Sequence, residues 1–177
     1  MMDIKALAYG EKEYIMALRR HFHAHPELGR HEVETTKRIT EELEKMGIEV
    51  MTFSDITGCI GVIRGGHDGG TVALRADIDA LPIQEADLTK EYASQNAGVM
   101  HACGHDCHIS MLLGAAKMLM ETKDELQGNV KLIFQAAEET CHGAEYYVEA
   151  GILDGVDAIM GQHVWATLEE PYINVQA

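Results

Sequence analysis

Apolar positions along the chain repeat with a helical period in four places. One period spans about residues 7–24 and a second spans about 32–46, where Gly47 ends it. A third, from about 109 to 121, is apolar on nearly every side and predicts a helix buried against a sheet. A short fourth helix is predicted over residues 143–150.

Short apolar runs predict strands between these helices. The Gly-rich stretch GGHDGG at 65–70 is predicted to connect two of them as a hairpin. In the second half of the chain, strands alternate with helices, which favours a partly parallel sheet covered on both faces. The predicted fold class is α/β, with three α/β/α layers and a mixed, partly parallel sheet. The predicted strands are IEVMTF (48–53), CIGVIRG (59–65), TVALRAD (71–77), NVKLIFQA (129–136) and VDAIMGQHV (156–164).

Composition and charge narrow the class of protein. The chain has 177 residues, enough for one domain with a real core. It carries 14 basic and 29 acidic residues, a net charge of −15, which argues against nucleic acid and anionic membrane as partners. The first 20 residues mix charge into every turn and contain no apolar signal core. We therefore expect a soluble, cytoplasmic protein.

Polar side chains follow three of the predicted strands at once. Asp77 and Asp79 end the run VALRADID, Glu138 and Glu139 follow KLIFQAA, and His163 follows AIMGQ. Each cluster alone is weak, because a carboxylate pair is more often a helix cap and a lone histidine is more often a satisfied, half-buried side chain. Because open α/β sheets bind their ligands where strands end, the combination predicts one site at one edge of the sheet.

The segment HACGHDCH at 101–108 adds soft ligands to this site. Residues two apart in an extended segment point to the same side, so Cys103 and His105 can face one metal centre. Adjacent residues point apart, so only one of Glu138 and Glu139 can coordinate fully. The other is free to accept a proton from a metal-activated water, a division that hydrolysis requires and a closed structural zinc site does not.

Other reaction types fit the residues less well. A Cys103 nucleophile paired with His101 or His105 leaves the carboxylate pair unexplained. No serine lies in a G-x-S-x-G elbow, and HEVET fails as a zincin helix because Thr35 stands where the second histidine is required. Cys59 lies in an apolar strand and is predicted to be a core residue.

Five segments occur in an order that resembles a known family. The resemblance is to the N-acyl-amino-acid amidohydrolases of the M20 metallopeptidase family, which includes hippurate hydrolases and auxin-conjugate hydrolases. It implies two divalent metal ions, Mn²⁺ or Zn²⁺, a small N-acyl amino acid as substrate, and a homo-oligomer in the full-length protein. The segments are RRHFHAHPELGRHEVET, LRADIDALPIQE, GVMHACGHDCHISMLLGAA, LIFQAAEE and VDAIMGQHV.

The resemblance also implies roles for single residues. Asp79 matches a carboxylate that supports the site in the His-x-Asp motif of the wider family, and Asp77 stands where that motif has a histidine ligand. His101 and His108 are read as supporting or helix-start residues, and Cys107 stands where a glycine is expected. The matched metal ligands are Cys103, His105, Glu139 and His163, and the matched general base is Glu138.

Family members extend well beyond the length of this chain. The resemblance therefore implies that residues 1–177 form the N-terminal portion of a metallohydrolase catalytic domain. A dimerisation (lid) domain, the rest of the catalytic domain and one more histidine ligand are expected elsewhere. We expect the chain alone to bind metal poorly, and expect KLIFQA to lie beside an unpaired sheet edge. The alternative is a non-catalytic metal-binding fragment or an interaction module derived from such an enzyme.

Overall fold

The computed structural model describes residues 3–140, 142–169 and 172–174. Within them, five strands form one sheet: β1 (Glu49–Thr52), β2 (Gly58–Arg64), β3 (His67–Asp77), β4 (Gln127–Gln135) and β5 (Ala158–Gly161). The α-helices are α1 (Ile4–Gly10), α2 (Lys12–Ala24), α3 (Val33–Lys45), α4 (His105–Glu121) and α5 (Gly143–Glu149). None of the described helices combines the length and apolar character that crossing a bilayer requires.

The sheet is mixed and has the strand order β1-β2-β4-β3-β5. Strand β2 pairs antiparallel with β1 and β4, whereas β3 pairs parallel with both β4 and β5. The predicted hairpin at 65–70 is therefore wrong, because β4 lies between β2 and β3. The glycines serve a close approach instead: a Cβ on Gly65 or Gly66 would overlap a backbone oxygen of Gly128 or Asp124.

The strand expected beside an open edge lies in the middle of the sheet. KLIFQA belongs to β4, which has a partner on each side, so that expectation is also wrong. The edges are β1 and β5. All four residues of β5 are exposed, and it is paired only through β3 among the described strands.

Two apolar clusters cover the two faces of the sheet. On one face the buried residues come from α2, α3 and α4, with β-strand partners below them; they include Leu18, Phe22, Ile39, Leu43, Ile109, Leu113, Leu132 and Phe134. On the other face, Tyr147 of α5 packs over Ile60, Ala73 and Ile133. Helices thus cover both faces, and the α/β prediction is confirmed. Cys59 is fully buried in the larger cluster, as predicted.

The predicted helices differ from the observed ones mainly at their N-terminal ends. The first predicted helix is two helices that meet at Glu11, whose carboxylate accepts a hydrogen bond from Lys117 of α4 at 2.6 Å. Helix α3 matches its prediction, and Gly47 follows its end at φ 77°. Helix α4 begins one turn earlier than predicted because Gly104, at φ 84°, turns the chain directly into it. This earlier start brings His105 into the first turn.

We expect Leu113→Ala to destabilise the protein by about 2–5 kcal/mol, because Leu113 is a fully buried residue of α4 and its truncation leaves a cavity. Denaturant unfolding followed by circular dichroism measures the change. The control is Leu88→Ala, since Leu88 is 58% exposed and should alter stability by less than about 0.5 kcal/mol. Equal midpoints for the two variants would contradict the packing described above.

Candidate metal centre

Three parallel strands deliver polar residues to the same edge of the sheet. Asp77 is the last residue of β3, Glu138 and Glu139 follow the end of β4, and His163 follows the end of β5. Because β3 runs parallel to both neighbours, these strand ends lie side by side. The N-terminus of α4 supplies His105 to the same place. The structure thus brings together the clusters that the sequence placed at strand ends.

His105 is the centre of this group and is fully buried. Its Nδ1 lies 2.9 Å from the carbonyl oxygen of Asp79, which can only accept, so Nδ1 carries a proton and donates it. The free Nε2 lies 3.6 Å from Asp77 Oδ1, 3.7 Å from Glu139 Oε1 and 4.0 Å from Glu138 Oε2. Burial lowers the pKa of His105, but the carboxylates of Asp79, Asp77 and Glu139 raise it by more. The site therefore favours a positive charge, a proton or a metal ion, at Nε2.

Two ligand atoms in this group are buried without a hydrogen-bond partner among the described residues. They are His105 Nε2 and Glu139 Oε1, and their 3.7 Å separation is too long for a hydrogen bond. Ligand atoms about 2.0–2.2 Å from a tetrahedral metal lie about 3.3–3.6 Å from each other. The separation of Nε2 and Oε1 therefore fits a shared cation, and the residues present suit a divalent metal.

Cys103 and His163 form a second pair of ligand type beside His105. Cys103 Sγ lies 3.4 Å from His163 Nε2, and one ligand atom of each of these three residues lies within 4.8 Å of the others. The two residues Cys103 and His105 do share one site, but the geometry differs from the extended segment expected. Cys103 lies in a turn, and the left-handed Gly104 carries the chain past Val164, whose methyl group a Cβ would overlap.

The charge around Cys103 opposes its thiolate form in the absence of a cation. Burial raises the pKa of the Cys103 thiol to about 11, and the carboxylates of Glu139 and Glu138 contribute to the increase. Because a coordinated divalent cation favours the thiolate strongly, a metal ion here would reverse this preference.

Asp77 has both carboxylate oxygens engaged by other side chains. Arg75 donates to Oδ2 at 2.6 Å and His108 donates to Oδ1 at 2.5 Å. Burial opposes the ionisation of Asp77, but the His108 hydrogen bond and the charges of His105 and Arg75 lower its pKa to about 2. Asp77 is thus a fixed, buried anion that supports the site.

Asp79 holds two predicted ligands through different atoms. Its carbonyl oxygen accepts from His105, and its Oδ2 accepts from the backbone N–H of Glu139 at 3.0 Å. The segment after β3 therefore orients an imidazole of α4 and a carboxylate after β4 at the same time. Gly29 passes close by, since a Cβ there would lie 3.1 Å from Asp79 Oδ2.

Glu32 supports the site and was not identified from the sequence. It is fully buried, accepts from the N–H of Ala137 at 2.8 Å and accepts a hydrogen bond from the hydroxyl of Thr57. Ala137 has φ 56°, a strained value for a residue with a side chain, and immediately precedes Glu138. Glu32 thus fixes the turn that presents the glutamate pair. A glutamate before a helix is an ordinary surface feature, so no local signal distinguishes it.

Four further histidines and cysteines lie close to these residues in the sequence, and those of them that the structure describes lie outside its ligand groups: His101, Cys107, Cys141 and His142. His101 is buried, burial lowers its pKa to about 4, and neither ring nitrogen has a partner among those residues. Cys107 is half-buried, and burial raises its pKa. His142 is exposed and lies 3.6 Å from Glu145. Cys141 lies outside the described residues.

Comparison with known families agrees with this arrangement. Residues 73–176, which include the polar ends of β3, β4 and β5, match the family described as Peptidase family M20/M25/M40. The chain belongs to this family. The predicted resemblance is thereby confirmed at the level of the family.

Individual M20 relatives are similar over nearly the whole chain. An N-acyl-L-amino acid amidohydrolase from Geobacillus stearothermophilus is 45% identical over 174 residues, which cover 98% of this chain and 47% of the relative. IAA-amino acid hydrolase ILR1-like 5 from Arabidopsis thaliana is 53% identical over 152 residues, which cover 86% of this chain and 34% of the relative. The chain therefore spans between a third and a half of these two proteins.

A solved structure shares both the sequence and the fold. The Bacillus subtilis YXEP protein, described as a dinuclear metal-binding peptidase from the M20 family, is 46% identical with a TM-score of 0.85. The match covers 94% of this chain and 45% of that protein. The fold described above is thus the fold of the corresponding part of an M20 peptidase.

We expect Cys103 to be protected from alkylation when metal is bound and to react after chelation, because a coordinated thiolate cannot attack the reagent. Peptide mapping by mass spectrometry measures the labelling rate at each cysteine. Cys59 is the internal control: it is fully buried, and burial raises its pKa to about 12, so it should stay unreactive in the folded protein. Equal labelling of Cys103 with and without metal would exclude it as a ligand.

Proposed function

We propose that this chain forms most of the metal-binding part of an M20 amidohydrolase that cleaves the amide bond of N-acyl amino acids. The observation that carries the proposal is the pair of buried, unpartnered ligand atoms, His105 Nε2 and Glu139 Oε1, 3.7 Å apart. The adjacent thiol and imidazole of Cys103 and His163 support it. Relatives named as an N-acyl-L-amino acid amidohydrolase and an N-acetyl-L-cysteine deacetylase support the substrate class.

The residues that would hold two divalent cations are Cys103, His105, Glu139 and His163. Imidazole, carboxylate and thiolate together are compatible with Zn²⁺ and with Mn²⁺. The family resemblance implies one further histidine, which we place in the part of the catalytic domain that the relatives have beyond the matched region. Residues 1–177 are then the N-terminal portion of that domain, with the dimerisation (lid) domain elsewhere.

We also place the protein in the cytoplasm, where Cys103 would stay reduced.

Glu138 is suited to be the general base because it is the more open of the two glutamates. Its side chain is 41% exposed against 22% for Glu139, yet Oε2 lies 4.0 Å from His105 Nε2. When bound, the cations supply Lewis acidity, which lowers the pKa of water and polarises a carbonyl. Glu138 accepts the proton of the attacking water and passes it to the leaving amine. The amide C–N bond breaks, and a carboxylate and a free amino acid result.

Asp79 and Asp77 contribute by keeping the other groups in place. Asp79 fixes the Nδ1–H tautomer of His105, which leaves Nε2 directed at the carboxylates. It also accepts a hydrogen bond from the backbone N–H of Glu139, which fixes the chain there and leaves the preceding residue, Glu138, on the solvent-exposed side of the site. Supporting contacts of this kind typically change metal affinity or activity by about 10–100-fold.

We expect Glu138→Gln and Glu139→Gln to differ in metal content. In the natural full-length protein, Glu138→Gln should retain metal and lose about 10²–10⁴-fold in kcat, because only the proton acceptor is removed. Glu139→Gln should lose metal as well as activity. Elemental analysis and hydrolysis of N-acetyl and N-benzoyl amino acids measure the two effects. Glu145→Gln is the control, since Glu145 is exposed and lies outside the ligand groups of the described residues.

Two results would decide against this assignment. Equal metal loss in the Glu138 and Glu139 variants would remove the division of roles between the two glutamates. A wild-type protein that holds metal and cleaves none of these amides would favour the alternative, a non-catalytic metal-binding module.

We also expect residues 1–177 alone to bind metal weakly and to cleave no substrate, because a further ligand is proposed to lie outside them. The measurement is the same amide assay with added Mn²⁺ or Zn²⁺. Turnover comparable to that of a full-length relative would show that the four ligands named above are sufficient.

A further inference from the structure

His108 lies between two parts of the candidate metal centre and is buried. Its Nε2 lies 2.9 Å from the backbone nitrogen of Val164, and its Nδ1 lies 2.5 Å from Asp77 Oδ1. A backbone N–H can only donate, so Nε2 is the acceptor and Nδ1 carries the ring proton. The two contacts therefore select one neutral tautomer, with a different partner on each nitrogen.

The Val164 contact fixes a segment that has little other support. Val164 follows His163, whose Nδ1 donates to the Val164 carbonyl oxygen at 2.5 Å. Strand β5, just before this segment, is exposed at all four positions. From residue 163 to 168, the described structure has one hydrogen bond to the rest of the chain apart from the Cys103 contact, and His108 accepts it. The rings of His108 and His163 also meet edge to face, with centroids 4.6 Å apart.

The other nitrogen of His108 is connected to the body of the sheet. Asp77, which accepts from Nδ1, also accepts from Arg75 at 2.6 Å. Arg75 in turn donates to the side chain of Gln135, the last residue of β4, at 2.9 Å. A continuous row of hydrogen bonds therefore runs from the end of β4, through the end of β3 and α4, to the residue after His163. His108 is the member that spans the gap to β5.

We propose that His108 is a positioning residue that holds His163 in the metal centre through the Val164 peptide. The inference rests on the proposed function, because it takes His163 to be a metal ligand. A purely structural role would make His108 matter for stability alone. A positioning role makes the metal affinity depend on the Val164 contact in particular.

Two substitutions of similar polarity separate the two contacts. An asparagine amide reaches about as far as Nδ1, so His108→Asn can still donate to Asp77 but cannot reach Val164. A glutamine amide reaches about as far as Nε2, so His108→Gln can still accept from Val164. The variant His108→Ala loses both contacts. Leu113→Ala is the matched control, because it removes buried volume from the same helix without touching the row of hydrogen bonds.

The measurement is titration of the natural full-length protein with Co²⁺, followed by absorption. The thiolate-to-cobalt band reports on Cys103, which lies 3.4 Å from His163. We expect His108→Ala and His108→Asn to weaken cobalt binding by about 10–100-fold, as is typical when the partner of a ligand is lost. His108→Gln should stay closer to the wild type. Leu113→Ala should unfold more easily yet bind cobalt with unchanged affinity in its folded state.

Other results of the cobalt titration would contradict the proposed role of His108 or the proposed function. Equal weakening in His108→Gln and His108→Asn would overturn the proposal, because the variant that keeps the Val164 contact would then bind cobalt no better than the variant that loses it. Wild-type affinity in His108→Asn would overturn it as well, while leaving the metal centre intact. A wild-type protein that binds no cobalt would refute the proposed function itself, and with it this inference. Circular dichroism of every variant keeps loss of folding separate from loss of binding.

Discussion

The parallel pairing of β3 with both β4 and β5 is the constraint on which the rest of this structure depends. Its register sets Asp77 opposite Gln135 and Arg75 opposite Gly161, so three chain segments leave the sheet at one level. A slip of one residue in β3 would turn each of its side chains to the opposite face. The ligand groups, the support from Asp79 and the row of hydrogen bonds through His108 all require this register.

The same convergence concentrates acidic groups at one edge of the sheet, where Asp77 is buried and Glu139 is partly buried. Asp77 is paired with the Arg75 cation and accepts a hydrogen bond from His108, so its charge is compensated within the protein. Glu138 and Glu139 face the single imidazole of His105, which cannot neutralise both. Burying uncompensated charge is costly, so cations bound at this edge would stabilise the fold there. Metal binding and local stability would then be two aspects of one electrostatic requirement.

The sequence predicted the parts of the fold that follow from local pattern and from a general rule about parallel sheets. Strand ends bearing Asp77, Glu138 and His163 could be placed together because such sheets gather ligands at one edge. The position of β4 between β2 and β3 could not be predicted, because it depends on pairing between distant residues rather than on a turn signal. The residues 65–70 resemble a hairpin connection locally, and neighbours in sequence pair often enough to make that the default.

The supporting residues were harder to predict than the candidate ligands. A ligand is recognisable by its type, whereas Glu32 is recognisable only by its burial and by the strained Ala137 that it holds. The left-handed conformation of Gly104 likewise cannot be read from the apolar period of the helix. It nevertheless starts α4 one turn earlier than predicted and places His105 in the first turn. The type of each side chain can thus be read from the sequence, whereas its position in the site depends on long-range contacts.

Strand β5 has a consequence for how fast metal would exchange. It is four residues long, exposed throughout, and lies at an edge of the sheet, so it belongs to the elements that open locally at low free-energy cost. Glu139 and His105, by contrast, are held by Asp79 close to the core. An ion bound through His163 would then leave by fraying of this one strand, with a lifetime set by local opening. An ion held by His105 and Glu139 would remain until a much larger part of the domain unfolds, so two ions bound side by side would have very different residence times.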